Sequence, residues 1–258
     1  MITLLDASVA DVLAACARLT GAEQLVDDVD RAAAGRRRRP EDSRRTLAGR
    51  AALRLLVAAR TGRPAGRASE IIIDRRCRDC GAPHGQPRTA GLSLSTSGSG
   101  ERVLVAVAPG SARVGVDVEA ATPSALAAAA GLDDYALHPD ERADVAGTAD
   151  ADRARVQRWV EKEAVLKAAG LGLTLSPNAV RLAPQQADRA APSEVSSLGP
   201  ADWRGVLEAP VDAVRRLVVV ALPGPREEDP GRRGYLRAVA AAEVRAIRAV
   251  DVELVTRA

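Results

Sequence analysis

The sequence predicts an α+β fold of two similar halves that meet near residue 115. Three observations carry this. The order of elements, a helix and strands followed by helices and strands again, is traversed twice along the chain. The strand candidates are short, apolar and in places alternating, whereas the helix candidates open on capping residues and stop at glycine. Apolar residues make up 47% of 258, enough for a substantial core in one large or two small domains. The expected division is an N-terminal α+β half at 1–115, a C-terminal α+β half at 116–225 that carries the metal motifs described below, and a helical tail at 226–258.

Residues 1–35 read as irregular or weakly helical. Arg36 to Arg39, followed by Pro40, form a basic run expected as a solvated loop. Asp42 or Ser43 can cap a helix that continues through Leu47, Leu53, Leu55 and Leu56 and stops near Gly62. Arg50 and Arg54 lie four apart and share one of its faces. Residues 71–73 are a β-branched run expected as a buried strand. Residues 92–95 alternate like a half-buried strand, and 103–107 and 114–119 are two more candidates. Helices are expected at 125–130, from 139 to 145, and from 151 to 169, the last ended by Gly170. Strand candidates follow at 179–182, 204–207 and 217–221. The Pro-, Gln- and Ser-rich stretch 183–200 reads as a surface loop, and 235–255 as an amphipathic C-terminal helix.

Composition narrows the function classes. The chain holds 37 basic and 34 acidic side chains, a net charge of +3, so it lacks the broad basic surface of a dedicated nucleic-acid binder. Aromatic residues are 2% and Phe is absent, so Leu, Val, Ala and Ile must fill the core. Three cysteines are too few for a disulfide framework. The first sixteen residues carry Asp6 and Asp11 and no basic stretch, unlike a signal peptide. The longest aliphatic run, 217–222, is far short of a membrane span. The expectation is a cytoplasmic protein with no nucleic-acid or membrane partner.

Two segments carry chemistry. In Gly115-Val116-Asp117-Val118-Glu119, strand alternation sends Val114, Val116 and Val118 to one face and Asp117 and Glu119 to the other. Neighbouring carboxylates repel unless a cation or a proton lies between them, and a hard dication such as Mg2+ suits oxygen ligands. The plainer alternative is a solvent-facing acidic strand. In Trp159-Val160-Glu161-Lys162-Glu163-Ala164-Val165-Leu166-Lys167, Trp159, Glu163 and Lys167 recur every four residues and stack along one helix face. The plainer alternative is an amphipathic helix with one Glu–Lys pair, worth a few tenths of a kcal/mol. Against it stands the chain's own usage: Lys162 and Lys167 are its only lysines, every other basic residue being Arg. Lysine is a compact charge suited to gripping phosphate or sharing a proton. Together, Asp117, Glu119 and Glu163 can supply three metal ligands, Lys167 can neutralise a phosphate, and Arg45, Arg50 and Arg54 can hold further phosphates. That set describes a phosphoryl- or pyrophosphate-handling site.

Cys77, Cys80 and His84 have metal-like spacing, but a structural zinc takes four ligands and only the distant Cys16 or His138 remain, so a loop with buried thiols is expected. His138, ahead of Pro139 and Asp140, is expected at a helix start. The Ser95 to Ser97 stretch lacks a G-x-S-x-G elbow, which argues against a serine hydrolase.

Gly115 to Glu119, followed some forty residues on by the Trp159 to Gly170 segment, resembles the two-part signature of phosphopantetheinyl transferases of the surfactin-synthetase-activating type. Further stretches are similar in the same order. Arg45-Thr46-Leu47-Ala48-Gly49 resembles the family's first-helix motif. The segment from Cys77 through Cys80, Gly81 and His84 to Gly85-Gln86-Pro87 resembles one ending in Gly-Lys-Pro, and Leu92 to Ser97 resembles a Ser-His-Ser strand. The likeness runs from about residue 40 to 185.

The resemblance implies two pseudo-symmetric α/β halves with the ligand cleft between them, coenzyme A as substrate, and a monomer. It implies Mg2+, with Mn2+ as a substitute, held by Asp117, Glu119 and Glu163. Glu163 and Lys167 would be catalytic, Lys167 also touching the pyrophosphate. Arg45, Thr46, Gly85, Gln86, Pro87, Ser95 and Thr96 would lie along the nucleotide. The implied reaction is that of a holo-[acyl-carrier-protein] synthase: a serine of an apo acyl or peptidyl carrier protein takes the phosphopantetheine arm and 3′,5′-ADP leaves. The carrier could serve fatty-acid, polyketide or nonribosomal-peptide synthesis.

Two positions depart from the family pattern, Gln86 for Lys and Thr96 for His, and each charge-assisted hydrogen bond lost costs about 1.5–3 kcal/mol. They keep open a non-catalytic coenzyme A or carrier-protein binder. Another Mg2+-dependent phosphate enzyme, such as a nuclease, is the further alternative, disfavoured by near-neutral charge and few aromatics.

Overall fold

The N-terminal segment Ile2–Ser8 is a strand, β1, not the irregular stretch expected from the sequence. Its apolar positions enter the core, and it pairs antiparallel with the strand Arg102–Pro109. In a computed structural model of the chain, which describes residues 1–184, 194–223 and 234–257, the elements divide into two units. One comprises Met1–Ser111 with Arg248–Ala258, the other Ala112–Ile247.

In the first unit β1 leads into α1 (Val9–Ala17), capped by Ser8, which accepts from the Asp11 N–H at 3.0 Å. Then come α2 (Asp28–Gly35) and the 22-residue α3 (Pro40–Thr61). The N-cap of α3 is Arg39, three to four residues before the expected caps Asp42 and Ser43. Pro40 occupies its first turn, where a missing N–H costs nothing. It ends at Gly62, whose φ of 68° is the left-handed stop expected there. Strands β2 (Arg88–Thr89), β3 (Leu92–Ser99) and β4 (Arg102–Pro109) follow. β4 lies between β1 and β3 and is buried nearly throughout, which is why it reads as an unbroken apolar run. α3 packs on this sheet through Ala48, Ala51, Ala52, Leu55 and Leu56, small alanines standing in for absent aromatics.

The second unit repeats the recipe of a long helix on a five-stranded sheet. It opens with β5 (Gly115–Ala120) and runs through α4 (Pro123–Ala129), α5 (Asp133–Ala136), α6 (Pro139–Ala146) and α7 (Ala151–Ala169). β6 (Arg181–Leu182), β7 (Arg204–Glu208), α8 (Asp212–Arg215), β8 (Val218–Ala221) and β9 (Tyr235–Ala241) complete it. The sheet order is β5-β9-β8-β7-β6. α7 is capped by Asp150, which accepts from the Arg153 N–H at 3.0 Å, and closes on Gly170 at φ 73°. β10 (Ile247–Val250) joins the first sheet beside β1, and a short helix, Val252–Thr256, ends the described chain.

Two expectations are corrected here. The helical tail at 226–258 does not exist where the chain is described: residues 235–241 form β9, a central strand buried on both faces, and 247–250 form β10. The alanine-rich sequence favours helix, but pairing with β5 and β8 overrides local propensity. The stretch 71–73 forms no strand; Ile72 is 84% exposed, and the neighbouring Asp74 makes one isolated bridge to Arg88. Residues 226–233 of that tail and 185–193 of the expected surface loop lie outside the described residues.

Candidate functional site

β5 is an edge strand that faces α7 through its smallest residue. A Cβ on Gly115 would sit 2.0 Å from the Ala164 carbonyl oxygen and 2.4 Å from the Ala168 backbone nitrogen. Glycine therefore brings α7 into backbone contact with β5. Strand alternation then turns Asp117 and Glu119 to the same side as Gly115, while Val114, Val116 and Val118 are fully buried. We expect Gly115→Val to force the helix off the strand, costing about 1–3 kcal/mol or more of stability as an overpacked contact does. A lowered melting temperature checks this.

The approach sets the charges. Asp117 is only 2% exposed, so the solvent-facing acidic strand is excluded for it. Lys167 Nζ lies 2.5 Å from Asp117 Oδ1 and 3.9 Å from Glu163 Oε2. Glu163 is pushed up to about 7, first by burial and then by the like charges of Asp117 and Glu119, with Lys167 pulling the other way. Burial works against the Lys167 ammonium, but Asp117 and Glu163 outweigh it and hold its pKa above the usual value. Three carboxylates and one ammonium thus share one partly buried corner of the second unit. The donor set is hard and all-oxygen, the kind a magnesium ion takes. Repulsion among these like charges is relieved by a dication. In the kind of donor, these residues fit that metal.

The same face of α7 continues to Trp159, whose ring lies 5.5 Å from that of Tyr135. A pocket opens there beside Glu119, lined by Ala120, Ala125, Leu132, Ala136, Arg155, Val156 and Trp159. Sequence reasoning singled out Trp159 but not the pocket, whose walls come from the end of β5, from α4, α5 and the turn between them, and from α7.

The two lysines part company. Lys162 is fully buried and donates to the Ala136 carbonyl at 2.9 Å and to Glu141. It anchors α7 to α6 and grips no phosphate. Glu141 also accepts from the His138 N–H at 3.0 Å and the Leu182 N–H at 3.0 Å. His138 caps α6, the helix-start role expected of it. Glu161 is buried against Arg158 and Arg204.

The remaining candidates lie in the first unit. Arg45 and Thr46 sit on α3, Ser95 and Thr96 on β3, and Gly85, Gln86 and Pro87 in the turn before β2. α3 crosses β3 over two glycines: a Cβ on Gly49 would lie 3.6 Å from Thr96 Oγ1, and one on Gly98 3.2 Å from the Arg45 side chain. Arg45, Thr96 and Gly98 are thereby gathered where helix and strand cross. Arg45 donates to the Gly100 carbonyl at 3.0 Å, and Thr46 accepts from Arg37 Nε at 3.1 Å. Gly85 is obligatory, since a Cβ there would lie 2.6 Å from the Arg76 carbonyl oxygen.

Arg50 and Arg54 are corrected. Arg54 is fully buried, donating to Asp30 at 2.7 Å, to Asp27 and to the Ile71 carbonyl at 2.6 Å. Arg50 and Arg75 meet the same Asp30 at 3.0 and 3.1 Å. Their charges are spent inside the protein and are not offered to phosphate.

A search of curated proteins finds no match to the chain. Residues 113–220, which carry Asp117, Glu119, Glu163 and Lys167, match the family model described as the 4′-phosphopantetheinyl transferase superfamily.

Proposed function

We propose that this protein transfers phosphopantetheine from coenzyme A to a serine of an apo acyl or peptidyl carrier protein, with Mg2+ as cofactor and 3′,5′-ADP as leaving group. The observation that carries the reading is the Asp117–Lys167–Glu163 cluster, brought together by Gly115 inside the segment that matches the superfamily.

Asp117, Glu119 and Glu163 would hold the metal. When bound, it supplies charge neutralisation at the coenzyme A pyrophosphate. Lys167, already cationic beside Asp117, stabilises negative charge that gathers on the leaving phosphate. Glu163 would accept the serine proton, directly or through one water. The serine oxygen bonds to the β-phosphorus, and the bond from that phosphorus to the bridging oxygen breaks. No covalent enzyme intermediate is required.

In the first unit, Arg45, Thr46, the Gly85 to Pro87 turn, Ser95 and Thr96 would line the nucleotide. Gln86 and Thr96 offer it no cation, which favours weak coenzyme A binding and gives the second reading, a non-catalytic binder, its one observation. We expect Gln86→Lys with Thr96→His to tighten coenzyme A binding at least about tenfold, the value of one charge-assisted hydrogen bond, measured by calorimetry. No helix among the described residues is long and apolar enough to cross a membrane; a cytoplasmic monomer fits the proposal.

The test incubates the protein with coenzyme A, Mg2+ and a panel of apo carrier domains and reads intact masses. A gain of one phosphopantetheine, abolished by a chelator, supports transfer. Coenzyme A binding without any gain across the panel supports the non-catalytic reading instead, and nicking of DNA would support the nuclease.

A further inference from the structure

The turn that precedes Gly85 does not bury its thiols as expected. Cys77 is half-buried and Cys80 exposed. The two sulfurs and one imidazole nitrogen of His84 lie within 4.8 Å of one another, with Cys80 Sγ 3.0 Å from His84 Nε2. Three residues spread over eight positions converge because the backbone folds back on itself. The Cys77 N–H donates to the Ala82 carbonyl at 2.8 Å, the Gly81 N–H to the Cys77 carbonyl at 3.0 Å, and the His84 N–H to the Ala82 carbonyl at 2.9 Å. Gly81 permits the reversal with a φ of 73°.

We propose that Cys77, Cys80 and His84 form a zinc site, a knuckle with two thiolates, one imidazole and a fourth position open to solvent or to a nearby carboxylate. Zinc bonds of about 2.3 Å to sulfur and 2.0 Å to nitrogen place tetrahedral ligands about 3.5–3.8 Å apart, a spacing this turn reaches with small side-chain movements. The Asp79 carboxylate lies 4.0 Å from the Cys77 sulfur and is the candidate fourth ligand. Two soft thiolates and an imidazole select zinc over the magnesium that the carboxylates of the second unit suit. Binding releases the two thiol protons. The metal would brace the turn through Cys77, whose Cα packs against Gly85, and through His84, the residue before it. The ligand set stands on the geometry of this turn alone and does not depend on the transferase reading.

The experiment uses the full chain purified without metal-affinity resin. Elemental analysis is expected to find one zinc per chain. After the metal is stripped under reductant, Co2+ alone is titrated in. We expect thiolate-to-cobalt charge-transfer absorption and the intense visible bands of a four-coordinate ion, saturating at one equivalent. Cys80→Ser should weaken the charge-transfer band, Cys77→Ser with Cys80→Ser should abolish it, His84→Cys should keep it, and Glu163→Gln, which alters only the carboxylate corner, should leave it unchanged. Absence of the band in the reduced wild-type chain overturns the proposal. So does zinc content unaltered in the Cys80→Ser, His84→Ala double variant. A chain isolated two hydrogens lighter, with a Cys77–Cys80 disulfide and no metal uptake after reduction, also overturns it.

Discussion

Replacing Glu163 by Gln is expected to lower the rate of carrier loading by about 10²–10⁴-fold, the usual contribution of a positioned acid–base group, and to leave the fold in place. The substitution keeps the shape of the side chain and removes its capacity to take a proton. Glu163 is only 12% exposed and faces Lys167, Asp117 and Glu119, so Gln also removes one of three like charges. A chain made less active merely by unfolding would lose thermal stability. Glu163→Gln should instead melt at or slightly above the wild-type temperature in the absence of metal, because it relieves carboxylate repulsion. Intact-mass kinetics paired with a melting curve separate the two. An unchanged loading rate would remove Glu163 from the chemistry.

The same residue sets a pH dependence whose sign can be worked out. Its pKa in the fold, about 7, lies above the ordinary 4.5, so the folded protein holds the proton more tightly than the unfolded chain. Its contribution to stability is complete below the unfolded value and is lost as pH rises through about 7. Metal binding as proposed would run the other way, because a dication displaces that proton. Stabilisation by Mg2+ should therefore be larger one unit above that pKa than one unit below it, read as the shift in melting temperature. In Glu163→Gln the difference should flatten.

Much of this corner was legible in the sequence. Alternation separated Asp117 and Glu119 from the valines, four-residue spacing aligned Trp159, Glu163 and Lys167, and Asp150 and Gly170 mark the ends of α7. What could not be read was partnership across long separations. Arg50 and Arg54 share a helix face as the spacing demands, but that face meets Asp30, some twenty residues upstream. Nothing in local spacing distinguishes an arginine facing a buried carboxylate from one facing phosphate. β9 was missed for the same reason: its alanines favour helix locally, and only the flanking β5 and β8 make it a strand. The meeting of Cys77, Cys80 and His84 was visible as spacing, yet the count of ligands argued against it until the turn brought the three together.

The two lysines give the sharpest contrast between structure and chemistry. Lys162→Met is expected to cost about 3–5 kcal/mol, the usual effect of removing one partner of a buried ion pair. Glu141 would be left charged and buried while still accepting from His138 and Leu182, and the Ala136 carbonyl would lose its donor. At roughly 2–4 °C per kcal/mol for a protein of this size, the melting temperature should fall by on the order of 10 °C. Added Mg2+ should not restore it, because Lys162 does not face the carboxylate corner. Combining Lys162→Met with Glu141→Gln should recover part of the loss, since the orphaned charge goes with its partner. Lys167→Met should behave in the opposite way. Lys167 is 27% exposed and neutralises Asp117 and Glu163, so its removal sharpens carboxylate repulsion that a dication can take up. Its melting temperature should fall less and return with Mg2+, while loading stays depressed for want of a cation at the leaving phosphate. If Mg2+ rescued Lys162→Met as well, the carboxylate corner would extend further along α7 than the ion pairs indicate. If neither variant lost stability, the chain's exclusive use of lysine at these two positions would have no structural basis in either place.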